Sequence, residues 1–194
     1  MSLPLLIAGL GNPGAEYART RHNAGFLVLE ELARDWRVDW RQEPRFESSV
    51  ARADRGGRVV WLVRPLTFMN ASGEAVGAVA RYYRVPVEQI LVVVDDADLP
   101  LGTVRLRPDG SSGGHHGLES VEAHLGTRKY ARQRLGIGRL ESGVRQITGH
   151  VLGRFSAEEA EVFERVLRHA VSQVTCWLDE GIEKAMARYN GPAR

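Results

Sequence analysis

The amino-acid sequence predicts an α/β fold in one domain spanning residues 1–194. Three observations carry this. Pro4–Leu10 and Ile90–Val94 are continuously apolar, as strands buried on both faces are. Segments of helical spacing alternate with segments of strand spacing. The 194 residues suffice for one well-buried domain, with no linker or internal repeat to divide them.

The elements follow in order. Pro4–Leu10 is the first strand and ends at a glycine-rich turn. From His22 to Trp36 apolar residues recur near helical spacing at Phe26, Leu27, Leu29, Leu32 and Ala33. Ser48–Ala53 and Arg58–Val63 alternate around Asp54-Arg55-Gly56-Gly57, a hairpin signal. Met69–Tyr83 is helical by pattern, and Pro86 ends that element. Ile90–Val94 is the second buried strand and stops at Asp95-Asp96-Ala97-Asp98. Thr103–Arg107 alternates, as an edge strand does. Pro108–Gly117 is too rich in Gly and Ser for regular structure and reads as a mobile loop. Leu118–Leu125 is a helix and Gln133–Gly138 a short strand. Ser156 and Glu159 form a capping box that opens a long helix with Val162, Phe163, Val166, Ala170, Val174 and Leu178 on its apolar stripe. Gly181 breaks it, and Ile182–Tyr189 is the last helix.

Composition narrows the function classes. No apolar run reaches membrane-spanning length, and Pro4–Leu10 is too short and wrongly flanked for a signal peptide. Cys176 is the only cysteine, which rules out an internal disulfide and fits a reducing cytoplasm. Net charge is +2, but Val104–Arg145 carries eight Lys/Arg against four Asp/Glu. Most of these are arginines, the residue suited to bidentate phosphate contacts.

Gly9, Gly11 and Gly14 spell G-x-G-x-x-G, the letters of a dinucleotide-binding turn. The context fails. The helical pattern begins only near His22, and Glu30 and Glu31 lie inside it instead of ending a second strand. The glycines alone are explained by a tight turn. They do not explain Asn12 or His22.

His22 stands between a strand–turn unit and a helix. Asp95 ends the second apolar strand. If the two strands run parallel and adjacent, both residues reach one edge of the sheet. A carboxylate accepting from one imidazole nitrogen leaves the other free as a general base. Asp95, Asp96 and Asp98 are also open to reading as a solvated acidic turn or a hard-metal site. No serine or cysteine nucleophile stands out, so the pair suggests direct activation of water. Phe68-Met69-Asn70 follows a proline turn at a helix start. Arg105 and Arg107 share one strand face, and with Arg134 they suggest a phosphate clamp.

These segments together resemble a known family. G-L-G-N-P-G-A-E-Y-A-R-T-R-H-N-A-G is similar to the N-terminal signature of bacterial peptidyl-tRNA hydrolases. P-L-T-F-M-N-A-S-G, V-D-D-A-D-L-P-L-G, S-S-G-G-H-H-G-L and L-G-I-G-R resemble its later blocks, in the same order and spacing. The resemblance implies a twisted mixed sheet flanked by helices. It also implies hydrolysis of the ester between a peptide and the 3′-terminal ribose of tRNA, with no metal or organic cofactor, by a cytoplasmic monomer. By the same resemblance His22 is the base and Asp95 holds its imidazole. Asn12 distinguishes a blocked from a free amino group. Tyr17, Phe68 and Asn70 contact the tRNA 3′ end and the aminoacyl group, and Asn70 also helps to position water. Arg107 and Arg134 match positions that meet tRNA phosphates. His116 stands where the family usually has asparagine. Imidazole is bulkier than an amide and becomes donor-only when protonated, which changes what this position offers to substrate. Some relatives of the fold bind RNA as splicing factors without hydrolysis, which is the alternative function.

Overall fold

The computed structural model describes residues 3–138 and 149–194. Among these residues one eight-stranded mixed sheet runs through the molecule. Its strands are β1 (Leu5–Gly9), β2 (Arg41–Glu43), β3 (Ser48–Arg55), β4 (Arg58–Pro65), β5 (Ile90–Asp96), β6 (Thr103–Arg107), β7 (Ala131–Gly136) and β8 (Gly191–Pro192). Their order in the sheet is β2-β3-β4-β1-β5-β7-β6-β8. β1 lies between β4 and β5 and is parallel to both, and β5 is parallel to β7. The flanking pairs are antiparallel.

The continuous apolar runs are explained by helices on both faces. Leu5 and Ile7 of β1 pack toward α1 (Ala24–Trp36), α4 (Ala157–Glu180) and α5 (Ile182–Tyr189). Leu6 and Ala8 pack toward α2 (Ser72–Tyr82) and α3 (His116–Leu125). Successive strand residues point to opposite faces, so a strand with two covered faces needs apolar side chains throughout. No helix among the described residues is long and apolar enough to cross a membrane.

Two glycines set how closely α1 approaches the sheet. A Cβ on Gly9 would stand 2.3 Å from the Gly25 carbonyl oxygen, and one on Gly25 would stand 2.3 Å from the Val93 carbonyl oxygen. The start of α1 is therefore pressed into the junction of β1 and β5. Ser156 caps α4 as expected: its Oγ accepts from Glu159 N at 3.2 Å, and its own N donates to Glu159 Oε2 at 2.8 Å.

Several boundaries differ from expectation. β7 begins at Ala131, because Arg132, polar yet 1% exposed, belongs to the strand. The helix after the glycine loop begins at His116, and the first two predicted helices each open with a 3-10 turn, at Arg21–Asn23 and Met69–Ala71. Thr103–Arg107 is not an edge. Asn190 Nδ2 donates to Leu106 O at 3.1 Å, Leu106 N donates to Asn190 Oδ1 at 2.7 Å, and the two residues of β8 continue the pairing. Strands this short carry no periodicity, which is why β2 and β8 escape a reading by pattern.

The Gly/Ser loop has no regular structure up to His115, and arginine side chains fasten it. Arg132 Nη1 donates to Gly110 O at 2.5 Å, and Arg134 Nη2 donates to Ser111 O at 2.7 Å and Ser112 O at 3.1 Å.

Candidate active site

β1 and β5 are adjacent and parallel, so their carboxyl ends open on one edge. His22 reaches that edge from the 3-10 turn ahead of α1, and Asp95 from near the end of β5. His22 Nδ1 lies 2.9 Å from Asp95 Oδ1. A second imidazole meets the same oxygen: His115 Nε2, at 3.1 Å. His115 Nδ1 accepts from Leu118 N at 3.4 Å, so the proton of His115 sits on Nε2 and points at Asp95. With the Asp95 carboxylate as acceptor, His22 carries its proton on Nδ1. Its Nε2 has no protein partner among the described residues, on a ring that lines the cavity.

Asp95 is 2% exposed. Burial alone would raise its pKa. The electrostatic pull of the His22 ring and the hydrogen bonds from both imidazoles outweigh burial and hold the carboxyl well below the usual carboxylate range. Asp95 is thus an anion kept inside the protein by its two imidazole partners.

The cavity above these groups has a volume of about 460 Å³. Asn12, Phe68, Asn70, Gly113, Gly114 and His116 line it. Asn12 is held rigidly. Its Oδ1 accepts from Met69 N at 2.8 Å, and its backbone N donates to Asn23 Oδ1 at 2.8 Å. Asn23 Nδ2 donates back to Asn12 O at 2.9 Å. With Oδ1 so engaged, the Asn12 amide offers its N–H donors to a ligand. Phe68 is 62% exposed, an aromatic face left open at the rim.

A family model described as Peptidyl-tRNA hydrolase matches residues 6–194. The chain belongs to the peptidyl-tRNA hydrolase family. A peptidyl-tRNA hydrolase of Gloeobacter violaceus is 48% identical over 186 residues, covering 95% of this chain and 93% of that one. One of Desulfitobacterium hafniense is 48% identical and covers 95% and 98%. The crystal structure of the peptidyl-tRNA hydrolase from Acinetobacter baumannii matches with a TM-score of 0.93 at 37% identity, over 100% of this chain and 97% of that one.

Within this member of the peptidyl-tRNA hydrolase family, most of the residues singled out by sequence line one cavity: Asn12, His22, Phe68, Asn70, Asp95 and His116, with Asp96, Asp98 and Arg134 beside them. Tyr17 does not. It lies in the turn before His22, where its backbone O accepts from Thr20 N and Oγ1, and its ring stays outside the cavity lining. His116 is largely exposed and turned toward Glu119, with Nδ1 at 3.1 Å from Oε2.

The arginine clamp is drawn differently. Arg134 faces Arg105 across the β6–β7 ladder, while Arg107 faces Arg132. Arg134 also pairs with Asp96 Oδ2 at 3.2 Å, so part of its charge is already engaged. The acidic cluster does not converge as a hard-metal cage: Asp95 turns to the imidazoles and Asp96 to Arg134. Arg139, the last residue of the fifth matching block, lies outside the described residues. Sequence pattern does not mark His115, although it sits beside His116 in the same motif. The only available signal was a second imidazole at the end of a glycine loop.

Proposed function

We propose that this chain hydrolyses the ester between a peptide, or an N-blocked aminoacyl group, and the 3′-terminal ribose of tRNA, returning free tRNA to translation. The observation that carries the mechanism is the 2.9 Å contact of His22 Nδ1 with Asp95, which leaves Nε2 at the cavity. None of the described residues lining the cavity is a serine, threonine or cysteine, which favours water as the nucleophile over a covalent intermediate.

His22 Nε2 takes a proton as water adds to the ester carbonyl carbon. The imidazolium so formed faces the Asp95 carboxylate, whose attraction lowers the barrier. Amide N–H groups of Asn12 and Asn70, with backbone N–H groups at the cavity wall, stabilise the oxyanion. The bond from carbon to the ribose oxygen then breaks, and His22 returns its proton to that oxygen. The base, the tautomer control and the leaving-group proton all come from protein side chains, so this scheme invokes no cofactor. Phe68 offers a stacking face to the terminal base or the aminoacyl side chain. His116 contacts substrate at the cavity wall, and Tyr17 meets it outside the cavity. We read residues 1–194 as one domain, acting as a cytoplasmic monomer.

Release of N-acetyl-aminoacyl groups from tRNA tests this directly. The wild-type chain turns over, and His22→Ala lowers turnover by about 10²–10⁴-fold. Near-normal turnover in that variant would remove His22 from the mechanism. Absence of turnover in the wild type would point to an RNA-binding relative without hydrolysis.

A further inference from the structure

Asp95 brings two imidazoles to one point, and that arrangement has a second chemistry. His22, Asp95 and His115 each offer a ligand atom, and these atoms all lie within 4.8 Å of one another. We propose that this cluster is an inhibitory site for a borderline divalent ion, Zn²⁺ above all, which binds where two imidazole protons now meet the Asp95 carboxylate.

The donor set selects the ion. Two imidazole nitrogens and one carboxylate oxygen suit Zn²⁺, with the fourth position open to cavity water. Mg²⁺ and Ca²⁺ require mostly oxygen ligands and find only one here. Nitrogen–oxygen separations of 2.9 and 3.1 Å subtend about 90–100° at an ion ~2.05 Å from each atom, and the two nitrogens, within 4.8 Å of one another, come to about 3.3 Å around a tetrahedral ion. Asp95 supplies a buried anion. The nearby cation, Arg134, is paired with Asp96 at 3.2 Å, which tempers its opposition to an incoming ion.

The consequence follows from tautomers. To ligate through Nδ1, His22 must give up the proton there and carry it on Nε2 instead. The lone pair that accepts a proton from water is then gone. On His115 the proton leaves Nε2 for Nδ1, at the expense of the long 3.4 Å contact from Leu118 N. The ion thus disables the base without filling the cavity. This inhibitory part rests on His22 as base, whereas the binding itself does not.

The test uses the metal-free full chain. Calorimetric titration with ZnCl₂, without tRNA, gives one ion per chain, and Co²⁺ in its place gives the visible bands of a tetrahedral site. His115→Ala weakens binding by about 10–100-fold or more, the loss of a ligand costing at least as much as the loss of a group that supports one. His115→Gln repeats the test if the alanine variant does not fold. His169→Gln, at a histidine remote from the site, binds like wild type. In the hydrolysis assay one equivalent of Zn²⁺ lowers kcat with KM unchanged, chelator restores it, and millimolar Mg²⁺ does not mimic it. Absence of stoichiometric binding, or equal affinity in both His115 variants, overturns the site and leaves the hydrolase reading standing. Binding that leaves hydrolysis intact overturns the inhibition, since water in the ion's open fourth position would then be replacing the base.

Discussion

Asp95→Asn isolates the electrostatic part of the mechanism. The carboxylate oxygen that accepts from His22 Nδ1 at 2.9 Å and from His115 Nε2 at 3.1 Å becomes a neutral amide oxygen. Shape is nearly conserved and the oxygen still accepts, so the ground state changes little. The transition state changes more, because His22 is then an imidazolium. Two unit charges about 4 Å apart at an effective dielectric near 20 attract by about 4 kcal/mol. Loss of that attraction predicts a fall in turnover of about 10³-fold, at ~1.4 kcal/mol per decade. Single-turnover release of N-acetyl-aminoacyl groups, with substrate binding measured separately, reads this as a lower rate at similar affinity. A loss under about tenfold would refute the argument that the Asp95 charge stabilises an imidazolium. Acid stability checks the same anion. Its folded pKa lies below the ordinary 3.8, so the unfolded chain binds the extra proton first as pH falls. The stability it contributes is full above that ordinary value and declines toward the folded pKa. Asp95→Asn removes this part of the acid sensitivity, and an unchanged acid titration of stability would contradict it.

Three further outcomes are expected. Arg107→Ala with Arg134→Ala weakens tRNA binding and flattens its salt dependence, and an unchanged salt slope would argue against phosphate contacts. His116→Asn maintains or raises turnover, since an amide both donates and accepts, and a large loss would show that this chain uses the imidazole in its own way. Gly9→Ala drives a Cβ to 2.3 Å from the Gly25 carbonyl and costs about 1–3 kcal/mol or more of stability by overpacking, so an unshifted thermal midpoint would contradict the close approach.

The fold was legible where both faces of a strand are covered or a helix has one apolar stripe. β1 and β5 announce themselves because every apolar side chain in them is buried. α4 is marked by its capping box and stripe, although Val162 at its start is only half-buried and the polar Gln173 is fully buried. Gln173 satisfies itself within the protein, accepting from Gln133 Nε2 and donating to Asn190 Oδ1, each at 3.0 Å. Such networks are invisible to hydrophobic pattern because the partners lie far apart in sequence. Arg132 hides β7 for the same reason: its guanidinium is spent on loop carbonyls and Glu122, so a charged residue occupies a core position. At the site, the His22–Asp95 pair was legible from two strand ends. His115 was not, because its role depends on how the arginines fold the Gly/Ser loop back over β5 and β7.

The glycine motif shows why letters mislead without geometry. In a dinucleotide site the glycines let backbone approach a phosphate at the mouth of the helix that follows. Here Gly9 lets backbone approach backbone: the space a Cβ would need is taken by the Gly25 carbonyl, and the space beside Gly25 by Val93. The helix start is wedged against both parallel strands, with no room there for a phosphate. That contact fixes the turn Arg21–Asn23 relative to β5, and the 2.9 Å reach from His22 to Asp95 depends on it. Asn23 adds a second restraint by bonding both backbone groups of Asn12. One glycine contact and one asparagine therefore set the base and its neighbouring amide together. A side chain at Gly9 or Gly25 must move the base away from its carboxylate, even though neither glycine touches substrate.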